Sequence, residues 1–106
     1  MKKINEKKIL ELFHEEMKRR FGDHLKEIIL FGSRARGDHS EDSDYDCIVV
    51  FDEVSNEVKD QIDEIAGEFL YQYNVVFSIL PKLADQIKNK PYNPFLMNAI
   101  REGVSL

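Results

Sequence analysis

The chain is poor in the features that usually announce a secreted, membrane-bound or zinc-stabilised protein. It has one cysteine in 106 residues, so no internal disulfide can form, and Cys47 sits in an apolar run that suits a buried thiol better than a nucleophile. No apolar stretch approaches the length needed to span a bilayer, and the charged start MKKINEKK is not followed by the hydrophobic core of a signal peptide. A soluble cytoplasmic protein is expected. Internal repeats, a low-complexity tail and a cysteine-histidine cluster with zinc spacing are all missing. Positive charge is also in deficit: 15 basic residues face 20 acidic ones, a formal charge of -5. Such a surface repels a nucleic-acid backbone on average, which argues against a general DNA or RNA binder but not against a nucleotide arriving with a metal ion. The length accommodates one compact domain, residues 1–106, without a second core.

Periodicity places most of the elements. Ile9, Leu12, Phe13, Met17 and Phe21 recur at helical spacing, predicting an amphipathic helix that stops near Gly22-Asp23. A strand over about Lys26 to Phe31 runs into Gly32, and Ser33 to Asp38 reads as the first turn of a short helix, capped by Ser33 and broken at Gly37. His39 to Ser43 is a polar loop, and the β-branched run in Tyr45 to Phe51 predicts a strand. Asn56 to Tyr71 follows as a helix capped by Ser55, with Val58, Ile62, Ile65, Ala66 and Phe69 on one stripe. Val75 to Leu80 predicts a third strand ended by Pro81, then one or two helical turns over Leu83 to Lys88. The KPYNP stretch, Lys90 to Pro94, reads as a rigid connector. Asn93 as N-cap, Pro94 at N1 and Gly103 at C' frame a last helix over Pro94 to Glu102. The expected architecture is an α/β fold of the α+β kind, a small mixed β-sheet flanked by helices.

Function is concentrated in FGSRARGDHSEDSDYDCIVVF, Phe31 to Phe51. Asp44 and Asp46 stand two apart at the entry of a strand, so they project from one face, roughly 6 to 7 Å apart along it. Their like charges repel unless a cation lies between them, and a magnesium or manganese ion accepts that arrangement. Upstream, Ser33 and the amides of Gly32 to Arg34 can meet an anion such as a terminal phosphate. Arg34 and Arg36 add positive charge, although at i and i+2 on a helix they cannot both point inward. Each pair alone, Gly-Ser or Asp-x-Asp, is a weak signal; both joined by a short polar loop between two apolar strands form a candidate site for phosphoryl or nucleotidyl transfer. His14, His24 and His39 lack partners at ligand-like spacing and read as solvent-facing.

The same stretch resembles the signature of the DNA polymerase beta-like nucleotidyltransferase superfamily, and most closely its minimal nucleotidyltransferase group, often encoded beside a helical HEPN protein. The matching residues are Gly32-Ser33, Gly37 and Ser43-Asp44-Tyr45-Asp46. The resemblance implies that Ser33 touches the triphosphate of ATP and that Asp44 and Asp46 bind catalytic magnesium or manganese. Gly32, Arg34, Arg36, Gly37 and Ser43 would complete the nucleotide-binding turn. It further implies transfer of AMP from ATP to a hydroxyl of a partner protein of the HEPN toxin type. One departure stands out. Active members carry a third carboxylate on the next strand, in a pattern like Val-Asp-Leu-Val. The matching stretch here is Val75-Val76-Phe77-Ser78, with Val76 at the expected place and Ser78 or Asn74 there under a shifted register. None of these is an acid, so a catalytically weak or inactive antitoxin or regulatory subunit is the alternative reading, unless Asp42 or Asp52 substitutes. A small sheet with an exposed edge also points either to homo-oligomerisation or to closure of that edge by Val104 and Leu106.

Overall fold

The first helix, α1, spans Glu6–Phe21 in a computed structural model that describes residues 4–88 and 93–106. Asn5 caps α1, its Oδ1 accepting the Lys8 N–H at 2.9 Å. Ile9, Phe13, Met17 and Phe21, four apart, are its buried stripe. A 3-10 turn, Gly22–His24, leads into strand β1, Leu25–Phe31. Then come the one-turn helix α2, Ser33–Arg36, the central strand β2, Tyr45–Phe51, and the long helix α3, Asn56–Tyr73. Ser55 Oγ caps α3 by accepting the Val58 N–H, and Asn74, at φ +55°, closes its other end. The helix outlasts its expected end at Tyr71 because Asn74 supplies the left-handed stop.

Strand β3, Phe77–Leu83, helices α4, Ala84–Lys88, and α5, Pro94–Glu102, and strand β4, Val104–Ser105, complete the described chain. The KPYNP connector falls largely on residues 89–92, outside the described residues; Asn93 does cap α5, accepting from the amides of Phe95 and Leu96. The sheet runs β3-β2-β1-β4. β1 pairs antiparallel with β2 and β4, while β2 and β3 are parallel. This is the mixed sheet flanked by helices that the patterning implies. Val104 and Ser105 pair with Leu30 and Ile29, so β4 closes that edge of β1 within the chain. Among the described residues no helix is long and apolar enough to cross a membrane.

The expectations for the third strand and for Gly103 need correction. β3 begins at Phe77 rather than Val75 and runs on to Leu83, so Pro81 does not end it but lies inside it, level with Val49. The Val76 carbonyl accepts from Tyr45 N–H, so backbone groups of even-numbered residues face β2 and those of odd-numbered ones face outward; Pro81 lacks only an outward donor on an edge strand. Gly103 is not a left-handed stop either, its φ being -72°. A Cβ there would collide with Ile29 Cγ2 and lie 2.7 Å from the Ala99 carbonyl. It is glycine for want of space.

Both faces of the sheet are covered. Tyr45, Cys47, Val49 and Phe51 of β2 point to the core under α1 and α3, where Phe13 stacks on Phe77 with ring centroids 4.2 Å apart. Ile48 and Val50 point the other way, with Ile29 of β1, against Leu96 and Ala99 of α5. Cys47 is fully buried, and burial pushes its thiol up to about 12, which leaves it structural.

Candidate active site

Asp46 belongs to the α5 side of β2, but it stands at the strand's first turn, where the apolar cover gives out. Its antiparallel partner is Phe31, the last residue before the turn. A Cβ on Gly32 would lie only 2.6 Å from Asp46 Oδ2. The carboxylate therefore occupies the space that glycine leaves, against a backbone held at φ +75°. Asp44, two residues earlier and just before the strand, is exposed, and its charge reaches Asp46. Asp46 thus lies against the Gly32 turn with a second carboxylate nearby. Asp46 holds its proton above the ordinary aspartate range, first because it is partly desolvated, then because Asp44 is negative; the positive Arg36 works in the opposite direction.

The turn is built differently from expectation in one respect. Gly32, not Ser33, occupies the N-cap position, and no side chain makes a capping bond. The positive φ of Gly32 lets the helix begin at Ser33, whose hydroxyl has no capping duty. Gly37, at φ +84°, ends the turn and donates its N–H to the Ser33 carbonyl at 2.9 Å.

The two arginines separate, as their spacing requires. Arg34 is the one drawn inward: its Nε donates to the Ser43 carbonyl at 3.0 Å and its Nη2 to the Glu41 carbonyl at 3.1 Å. Its guanidinium lies 3.9 Å from the centre of the Tyr45 ring, on the face opposite Asp46. Arg34 holds the loop that carries the aspartates. Arg36 is exposed and engages Asp38 at 3.2 Å and Glu102 of α5 at 3.5 Å; of the two, it is the available cation. Ser43 also shapes the loop, its Oγ accepting the Ser40 N–H at 3.0 Å.

The parallel ladder fixes which residue of β3 neighbours the pair. Ser78 is level with Asp46, and by continuation of the register Val76 is level with Asp44. Asn74 belongs to the end of α3 instead. Asp52 cannot serve, because it lies at the far end of β2, roughly 20 Å along the strand, where it receives His24 Nδ1 at 3.1 Å. Asp42 lies exposed in the loop. Among the described residues no three histidines, cysteines, aspartates or glutamates group as a metal site. The chemistry of two neighbouring carboxylates still fits magnesium, which is commonly held by one or two carboxylates together with substrate phosphates.

Residues remote in sequence also reach the site, and sequence reasoning had no signal for them. Glu6 of α1 approaches Arg34 Nη1 at 3.7 Å and His39 Nε2 at 3.4 Å, and Glu102 approaches Arg36. His24 is solvent-facing as expected, although it meets Asp52, whereas His39 is partly buried against Glu6.

Comparison with known proteins fits this geometry. The profile of the nucleotidyltransferase domain family matches residues 10–101. A Methanocaldococcus jannaschii protein, provisionally named protein adenylyltransferase MJ0604, is 34% identical over 101 residues, covering 94% of this chain and 96% of its own. Among solved structures, one provisionally described as a minimal nucleotidyltransferase superposes with a TM-score of 0.65 at 20% identity, over 97% of each chain. A toxin-antitoxin crystal structure with AMP-PNP gives 0.62 at 20% identity, over 96% of this chain and 72% of that one. At those identities the structural likenesses speak for the fold.

Proposed function

Because the chain belongs to the nucleotidyltransferase domain family, we propose that this minimal domain transfers AMP from ATP to a hydroxyl of a partner protein, a helical toxin of the HEPN type. The observation that carries the reading is the Asp46 carboxylate seated against the Gly32 turn with the Asp44 charge close by. The names of its relatives supply the acceptor class: a protein adenylyltransferase, and a toxin-antitoxin complex holding AMP-PNP.

In this reading the Ser33 hydroxyl and the first amides of α2 receive the outer phosphates, since the opening amides of a helical turn have no acceptor within it. Asp44 and Asp46 would hold magnesium or manganese, which when bound would supply positive charge to the phosphates. Arg36 exchanges its exposed ion pairs for a phosphate oxygen. Arg34, Ser43 and Gly37 act by fixing the loop and turn. The acceptor oxygen attacks the α-phosphorus, the bond to pyrophosphate breaks, and the acceptor proton passes to solvent.

Incubating the protein with labelled ATP, manganese and its helical partner should label the partner, and Asp44→Asn or Asp46→Asn should abolish the label. Absence of label across metals sinks the reading. A second reading, a nucleotide-binding antitoxin without transfer, draws on the neutral Ser78 and Val76 beside the pair. It expects the partner complex to form unchanged in both Asn variants.

A further inference from the structure

The sheet register assigns a role to a residue outside the signature. A divalent ion of this kind takes about six oxygen ligands, and the β2 strand with the residue before it supplies two side chains, Asp46 and Asp44. Asp46 has a cross-strand neighbour on each side, the apolar Phe31 of β1 and position 78 of β3; only 78 carries a polar group, and adjacent strands lie about 4.8 Å apart. Alternation gives the face. Phe77 and Ile79 pack with the core under α1 and α3, whereas Leu80 joins Ile48 and Val50 on the α5 side. Ser78 therefore projects beside Asp46, and it is exposed, so that a larger group has room. Position 76, level with Asp44, is also neutral.

Resting on the nucleotidyltransferase reading, we propose that Ser78 is a positioning residue that makes metal binding conditional on nucleotide. With a neutral hydroxyl at 78, the protein offers a divalent ion two carboxylates, and the triphosphate must bring the remaining oxygens. A carboxylate at 78 completes a three-acid set that holds the ion without nucleotide. The same substitution raises the number of carboxylates at the metal-free site from two to three, against which Arg36 is the cation that acts on Asp46. A serine keeps the resting site tolerable and leaves the nucleotide to bring in the metal.

The test is manganese binding, followed by calorimetry and by the electron paramagnetic resonance of the free ion, in the parent chain and Ser78→Asp, with and without AMP-PNP. The parent should bind manganese weakly alone and at least about tenfold more tightly with AMP-PNP, as added ligand charge raises cation affinity. Ser78→Asp should gain at least about tenfold without nucleotide, lose that gain when combined with Asp46→Asn, and melt lower than the parent until manganese is added. Equal manganese affinity of the parent with and without AMP-PNP overturns the proposal, as does a Ser78→Asp variant with no gain. Should Ser78→Asp fail to fold, the nearly isosteric Ser78→Cys is titrated with cadmium and followed by thiolate-to-metal absorption. Tight binding that depends on Asp46 supports the placement, and binding indifferent to Asp46→Asn overturns it. Manganese-dependent uptake of AMP-PNP by the parent, with no gain at 78, removes only this inference. Failure of every variant to take up AMP-PNP removes the proposed function and this inference with it.

Discussion

At Asp46, partial desolvation and the charge of Asp44 both oppose ionisation, so its charged form costs the fold stability. The folded chain keeps the Asp46 proton to a higher pH than the unfolded chain, whose carboxyl titrates near the ordinary 3.8. Folding therefore takes up a proton in this range. The penalty is full above the raised value and fades as pH falls through it towards 3.8. Asp46→Asn should consequently raise the melting temperature at neutral pH, with the gain shrinking in acid, while AMP-PNP binding with manganese drops by at least about tenfold. Thermal melts across pH, paired with calorimetry, measure both; a destabilised variant would show the carboxylate to be structural. Single residues were the most legible scale where parity decided direction: along β2, Tyr45, Cys47, Val49 and Phe51 turn to one core and Ile48 and Val50 to the other. Arg34 and Arg36 were legible only as alternatives. Helical spacing says that one turns in, and only the carbonyls of Glu41 and Ser43, brought round by the loop, decide which.

Elements were read well where caps and periodicity agreed. Strand β2 runs from Tyr45 to Phe51 as its apolar run implies, and α5 begins at the Asn93-Pro94 pair. Where one residue has two structural uses the sequence does not choose between them. Proline ends a central strand but is tolerated on the outward side of an edge, and which strand is the edge depends on sheet order. Gly103 looked like a helix stop and is in fact a close contact between α5, β1 and β4. Gly103→Ala, at an ordinary negative φ, should still cost about 1–3 kcal/mol by overpacking against Ile29 and the Ala99 carbonyl. Urea denaturation reads that loss, and an unchanged midpoint would mean that β4 simply lifts away. The residue level with Asp46 was likewise illegible, because a parallel pairing across the α3 crossover sets the β3 register without any short-range signal.

For the whole molecule, nucleotide and metal are expected to stabilise the fold as a unit, since Gly32, Asp46 and α5 meet around one end of the sheet. At a hundredfold excess over Kd, AMP-PNP with manganese should add about 2.7 kcal/mol. For a chain of this size that raises the melting temperature on the order of 10 °C. Excess chelator should return it to the baseline, and a shift that survives chelation would separate nucleotide binding from the aspartates. The two rims of the sheet are finished by different means. On one, β4 adds a last strand to β1. On the other, the outward donors of β3 are interrupted by Pro81 near the strand's middle. An extended peptide trying to zip along that rim meets a missing rung, so recognition there falls to side-chain shape and charge, which discriminate among partners, rather than to a backbone ladder that almost any peptide can imitate.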